Sequence, residues 1–288
     1  MAPAATTRSR PDRCPGIVHP WPADDGGLVR IRVPGGQVST AAVRALAEVA
    51  EEYGDGRVRV TGRANLQLRA MPLDAGDRLA APALEALEAT GLLPSRAHDR
   101  VRNVLASPQT GLAGGRADLR PVVTALDALL LDDPELAGLP GRFLFTLDDG
   151  RGDLADRHKD LGLVALDAGS AQLRVGEGYG AVVDLRDAAG SLAGLARDFL
   201  AARGTGPAAA WHVDELPAPL VAPVPAEPAG VVHAPALGYG EVPGGEHVRV
   251  GDDGLDLPTI AGWGATTVVV TPWHGVLIPT SASLEEGP

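Results

Sequence analysis

Thiols are almost missing from this chain: Cys14 is the only cysteine in 288 residues. One thiol excludes an internal disulfide. It also excludes a self-contained iron–sulfur cluster or Cys-rich zinc site, since each needs several thiolates. Lysine is equally scarce, with Lys159 alone against 24 arginines. Together with abundant Ala, Gly and Pro, that skew is what GC-rich coding produces, so the choice of Arg over Lys at one position carries little weight. No run of 18 apolar residues occurs, which excludes a membrane-spanning helix. The N-terminal stretch MAPAATTRSRPDRCPG lacks the apolar segment of a secretory signal, and a cytoplasmic protein is expected. Basic charge is in deficit: the formal net charge is −12 and the isoelectric point about 5.0. A nucleic-acid binder with a generalised basic surface is not expected, so local clusters of arginine become informative.

What is present suits a globular α+β protein. Hydrophobic residues are 45% and charged residues 22%, enough for one large domain or two ordinary ones. Residues 1–14 read as a flexible tail. Leu28–Val33 alternates as a half-buried strand, and Pro34-Gly35-Gly36 is a turn. Ser39 or Thr40 caps a helix that stops at Gly54. Residues 57–69 alternate over 13 positions, and a small α+β half-domain is expected over 15–75. A second α+β domain spans 80–203. Its expected helices are 76–93, one beginning near Asp118 and Pro121, and 190–202. Its expected strands are Arg142–Leu147, Leu161–Leu166, Ala171–Val175 and Ala181–Leu185. The Pro- and Ala-rich stretch 204–229 reads as a linker, and a second half-domain covers 230–281. RVRVTGRANLQLR (57–69) and TVVVTPWHGVLIP (267–279) align without gaps. This is either the trace of a repeated half-domain with pseudo-twofold pairing or a chance likeness between two strands.

The polar face of 57–69 is the strongest chemical signal. Arg57, Arg59, Arg63 and Arg69 share it with Thr61, Asn65 and Gln67, and no acid lies between 56 and 73. Arg30 and Arg32 join this face if 28–33 pairs with it. Guanidinium arrays bind carboxylates and phosphates bidentately; the other reading is a solvated sheet face. A second cluster is Arg96, His98, Arg100, Arg102 and Asn103 ahead of the turn ASPQTGL, either an anion site or a surface loop. Arg142 opens a strand behind Leu139-Pro140-Gly141. Trp273-His274 either meets a ligand or packs the core. GEGYG (176–180) lacks the strand–turn–helix context of a dinucleotide loop. RHKDLG (157–162) reads as a solvated loop. The seven histidines show no metal-ligand spacing, and no nucleophile-elbow sequence is present.

These segments together resemble the sirohaem-dependent nitrite and sulfite reductase superfamily, and most of all its precorrin-3B synthase branch. The residues that carry the resemblance are Cys14-Pro15, GGLVRIRVPGG (26–36), VTGRANLQLR (60–69), RVRNVLASPQTGL (100–112), LPGRFLFTLDDG (139–150) and VTPWHGVLIP (270–279). They run in order over about residues 13–280. The resemblance implies two ferredoxin-like half-domains pairing beside a central α+β domain. It implies a tetrapyrrole ligand, sirohaem-like or a precorrin, and an oxidoreductase of cobalamin biosynthesis. It places Arg63 and Arg102 at the macrocycle and Arg142 at the position of a reductase lysine. Arg59, Asn65, Gln67, Arg69, Arg100, Asn103 and His274 complete the candidate contacts to the ligand's carboxylates. Leu144 replaces a second lysine of the reductases, which argues against nitrite or sulfite reduction. His274 stands where the synthase motif usually has Arg.

The family also implies a [4Fe–4S] cluster, which one cysteine cannot build. In the family a further α+β domain supplies the cluster cysteines, so the missing half is expected from a partner chain or a second copy in a homodimer. A non-catalytic tetrapyrrole carrier or scaffold, and a degenerate relative without ligand, are the alternatives.

Overall fold

A computed structural model describes residues 12–280. Most of the tail expected over 1–14 therefore lies outside the described residues. The chain divides into two compact units, one from Cys14–Arg102 with Leu237–Pro288, the other from Asn103–Ala236 with the residues up to Arg13.

The first unit begins with β1 (Trp21–Ala23), β2 (Gly26–Ile31), β3 (Gln37–Ser39), α1 (Thr40–Tyr53), β4 (Arg59–Val60), β5 (Leu66–Met71) and α2 (Ala81–Ala89). Ser39 caps α1, its hydroxyl accepting from the Ala42 amide at 3.1 Å, and Gly54 ends it. The 13 alternating residues 57–69 are a hairpin rather than one strand. Ala64 turns the chain at φ 53°, and the Thr61 hydroxyl accepts the Asn65 amide at 3.1 Å across the turn. The expected helix 76–93 forms only over Ala81–Ala89, with Pro82 in its first turn. Ahead of it, Asp74 accepts the Gly76 and Arg78 amides and holds a turn.

The second unit contains β6 (Val104–Ala106), α3 (Arg120–Asp132), β7 (Phe145–Asp148), β8 (Leu161–Ala165), β9 (Ser170–Val175), β10 (Gly178–Asp184) and α4 (Leu185–Ala202). Its sheet runs β10-β9-β8-β7-β6, parallel from β6 to β8 and antiparallel beyond. Phe143, Phe145 and Phe199 form an aromatic knot in its core, with ring centroids 4.9–5.3 Å apart. Arg142 does not open a strand as expected: β7 starts at Phe145, and Arg142 sits exposed in the turn before it. That turn is fixed by the Asn103 side-chain amide donating to the Gly141 carbonyl at 3.0 Å. The proline-rich segment expected to be a linker lies along β9 and β10. Val224 donates to the Tyr179 carbonyl, and Gln172 bonds both Pro225 and Glu227.

The first unit then resumes with β11 (Gly240–Val242), β12 (Gly245–Arg249), α5 (Leu257–Ala261), β13 (Thr267–Thr271) and β14 (Gly275–Pro279). The sheet orders are β1-β2-β5-β4 and β11-β12-β14-β13-β3. Apart from β3 these are the same order, so the aligned segments are a repeated half-domain. The repeat extends to backbone detail: His274 falls on Ala64 and shares its left-handed conformation, at φ 57°. Each half also lends its neighbour the residues just before its helix. Val38 in β3 pairs with Val268 of β13, and Leu255, ahead of α5, pairs with Val58 beside β4. The halves are thus tied reciprocally, by an added strand on one side and a single β-bridge on the other. In the first half Val29, Ile31, Leu66 and Leu68 are buried, so the opposite face of β2-β5-β4 is the polar one.

Candidate functional site

Register builds the polar face. Arg30 opposes Gln67, and Gln67 opposes Arg59, so the three side chains form one row across β2, β5 and β4. Arg32 follows Arg30 on the same face, two residues on. Arg32 is 3% exposed, and its guanidinium donates to Cys14 Sγ at 3.4 Å and to the Pro15 carbonyl at 3.2 Å. Arg30 reaches the same sulfur at 3.8 Å. Burial, with Arg30 and Arg63 nearby, pushes Arg32 down to about 10, while Cys14 and Asp99 oppose the shift. It remains charged at neutral pH. Arg30 Nε and Arg59 Nη1 are buried with no hydrogen-bond partner among the described residues. Unpaired buried donors are costly in a folded protein.

The stretch 57–69 is short of acids, but the fold brings them in from outside it. Arg59 pairs with Asp55 at 2.7 Å, Arg69 with Asp25 at 3.0 Å, and Arg57 with Asp256 at 2.9 Å. Arg69 and Arg57 thereby become exposed ion pairs. Asn65 was expected on the polar face, but it is 1% exposed and its side-chain oxygen accepts the Val33 amide at 3.1 Å. It pins the hairpin to the end of β2. Arg63 stays half-buried at the hairpin turn, within electrostatic reach of Arg32. His274 sits on the matching turn of the second half: a Cβ placed on Gly62 would lie 3.8 Å from His274 Nε2. The two turns therefore meet.

The second arginine cluster divides. Arg96 pairs with Glu88 on the surface. Asp99 accepts the Ile17 and Val18 amides at 3.0 and 2.8 Å and holds the N-terminal segment in place. Arg102 is buried and Arg100 half-buried in the first unit. In the second unit Asn103 is buried as the partner of Gly141, and Arg142 is exposed.

The repeat supplies an internal control. The row equivalent to Arg30–Gln67–Arg59 in the second half is His247–Leu277–Val269, and all three of those residues are buried. The fold therefore does not require arginines in this row.

The second unit carries a separate polar cluster that sequence reading missed. Asp153 accepts the Ser107 hydroxyl at 2.7 Å, and Ser107 in turn accepts the Asp149 amide at 3.1 Å. Asp148 gathers the Gly150, Gly152 and Leu154 amides, while Asp149 pairs with Arg151 at 2.7 Å. Burial, reinforced by Asp148 and Asp149, pushes Asp153 up to about 7 against the pull of Ser107 and Arg151. In the sequence Asp148 and Asp149 stand only as an adjacent pair within LPGRFLFTLDDG, with Asp153 outside it. Among the described residues, no group of three or more His, Cys, Asp and Glu side chains is placed to hold a metal ion. No helix among them is long and apolar enough to cross a membrane.

A repeated half-domain and a mixed α+β unit over residues 103–236 are the parts of a nitrite/sulfite reductase fold. The structure of the Mycobacterium tuberculosis NirA protein superposes with a TM-score of 0.66 at 19% identity, over 97% of this chain and 59% of that one. Residues 22–85 match the model of the nitrite/sulfite reductase ferredoxin-like half domain. The ferredoxin–nitrite reductase of Synechococcus elongatus is 34% identical over 131 residues, 43% of this chain and 25% of the relative. A precorrin-3B synthase of Sinorhizobium is 40% identical over 67 residues, 23% of this chain and 15% of the relative. The chain thus spans a quarter or less of the length of these curated relatives.

Proposed function

We propose that the chain is a tetrapyrrole-binding protein of the precorrin-3B synthase kind, acting in cobalamin biosynthesis as an oxidoreductase component. Its first half-domain holds the carboxylates of the macrocycle. The observation that carries this reading is the pair of buried, unpartnered donors, Arg30 Nε and Arg59 Nη1, in a row whose repeat equivalent, His247–Leu277–Val269, holds no arginine. Such donors suit a polycarboxylate, which would replace the missing hydrogen bonds with charge-assisted ones. Arg63, Arg100, Arg102 and His274 are the further donors proposed in the same unit. Arg142 and Asn103 are proposed from the resemblance alone. Leu144, in place of a lysine, favours the synthase over nitrite or sulfite reduction.

The residues of this chain do not fit a [4Fe–4S] cluster, since four thiolates are needed and one cysteine is present. No electron-transfer step is assigned to this chain by itself. Where the chemistry uses a cluster, another polypeptide or a second copy is proposed to complete it. The single cysteine also favours a second reading, a carrier that binds the tetrapyrrole without turning it over.

Visible titration with sirohaem tests the site. A saturable band shift at micromolar ligand is expected, and none up to the solubility limit refutes it. Arg63→Ala should weaken binding by about 1.5–3 kcal/mol, roughly ten- to a hundredfold, while leaving the melting temperature in place. Arg102 is buried, so its removal reports on folding as well and is the poorer test. Oxygen-dependent turnover of a bound precorrin, present or absent, separates the oxidoreductase from the carrier.

A further inference from the structure

His247 lies outside every motif noted in the sequence, yet it is the hub of the turn that carries His274. It is 1% exposed on β12. Its Nδ1 faces the Gly238 carbonyl at 2.8 Å and its Nε2 faces the Thr271 hydroxyl at 2.9 Å. The Thr271 hydroxyl also lies 3.2 Å from the Gly275 carbonyl. A Cβ on Gly275 would overlap His247 Nε2, so the ring occupies the space that glycine leaves. Tyr239 stacks on the ring at 4.7 Å, and its hydroxyl donates to the Trp273 carbonyl. His247 therefore contacts both ends of the Thr271–Gly275 turn directly and reaches its middle through Tyr239.

Counting protons fixes the states open to this group. A carbonyl only accepts, so Nδ1 must carry a proton to face Gly238. In the neutral ring Nε2 is then an acceptor, and the single Thr271 proton points to it. Protonation of Nε2 reverses that bond, and the Thr271 hydroxyl turns to the Gly275 carbonyl. Both states are fully hydrogen-bonded, and they differ in whether the two ends of the turn are tied to each other. Burial moves His247 below its ordinary 6.5, so the neutral state prevails at neutral pH. The titratable groups around the ring are Tyr239 and Arg249, whose guanidinium lies 6.0 Å from the Tyr239 ring.

We propose that His247 is a positioning residue for the Thr271–Gly275 turn, acting through the Thr271 hydroxyl, and that it sets how His274 is presented to a carboxylate ligand. His274 holds a left-handed conformation that side chains seldom adopt, so its geometry depends on the bonds around it. The last clause of the proposal rests on reading His274 as a ligand contact.

The test is nitrogen-15 NMR of the histidine rings in the full chain. His247 should be the Nδ1–H tautomer at neutral pH. Thr271→Val should move the ring resonances of His274 and weaken sirohaem about two- to tenfold, the range of one neutral hydrogen bond. Thr271→Ser should restore both. An Nε2–H tautomer for His247 overturns the proposal whether or not the valine variant folds. So does a folded Thr271→Val that leaves His274 unmoved. If His274 responds but sirohaem does not bind the wild type, the positioning role stands and the ligand reading falls.

Discussion

Replacing Asp153 by asparagine should make the protein more stable, and increasingly so as pH rises. In the folded chain the Asp153 carboxyl keeps its proton up to about 7, against 3.8 for the free group. Ser107, Asp148, Asp149, Arg151 and Arg157 are its polar surroundings, and burial outweighs the help of Ser107 and Arg151. A folded-state value raised in this way gives stability that is complete below 3.8 and is lost as pH rises through 7. At about 1.36 kcal/mol per pH unit, the full loss is about 4 kcal/mol. Asparagine keeps an acceptor for the Ser107 hydroxyl and cannot ionise. The stability gap between Asp153→Asn and wild type should therefore widen by about 3 kcal/mol between about pH 5 and about pH 8.5. Urea denaturation of both proteins across that range reads the gap directly. Parallel stability curves would refute the reasoning, because they would mean that Asp153 is ionised without penalty in the folded state.

Two further substitutions test the architecture. Asn65→Ala leaves the buried Val33 amide without its acceptor, and should cost about 1–3 kcal/mol in denaturation while the sheet survives by circular dichroism. Gly36→Ala puts a methyl group onto the Val270 carbonyl oxygen at a residue with φ +75°, and should cost at least about 2 kcal/mol. A neutral outcome for Gly36→Ala in thermal melts would mean that the contact between the two halves gives way easily.

Much of the first half-domain was legible because one face of its sheet is buried and the other is not. Alternation then marks strands, and Ser39, Gly54 and Pro82 punctuate the helices by local rules. The hairpin within 57–69 was less visible: Ala64 keeps the alternating pattern while reversing the chain. Arg59, Arg63 and Gln67 were found as a polar face because side-chain period alone places them there. Asn65 was misread for the same reason, since period cannot tell a solvent-facing amide from one that caps a neighbouring strand. The partners of the arginines were invisible. Asp25 and Asp256 lie far from the arginine stretch in sequence, and Asp55 lies just before it, so the array looked bare until the fold closed. In the second half β13 and β14 are buried on both faces, and the two-residue period is lost. His247 carries no motif. Only extending the repeat to β12, which puts His247 in the row of Arg30, would have singled it out.

The reciprocal tie between the half-domains has a consequence in time. Val38 waits for Val268, 230 positions later, and Val58 waits for Leu255. During synthesis, the first half-domain leaves the ribosome with the edge of its sheet open and β3 unpaired. The entire 103–236 unit is made before either vacancy can be filled. Long sequence separation between contacts slows folding, and an open edge invites pairing with another chain. The interval is taken up by a unit whose own strands and helices are contiguous in sequence. Chaperone dependence and misassembly in this protein should therefore trace to the delay before residues 255–269 appear, and truncations that remove them should aggregate through the edge beside Val58.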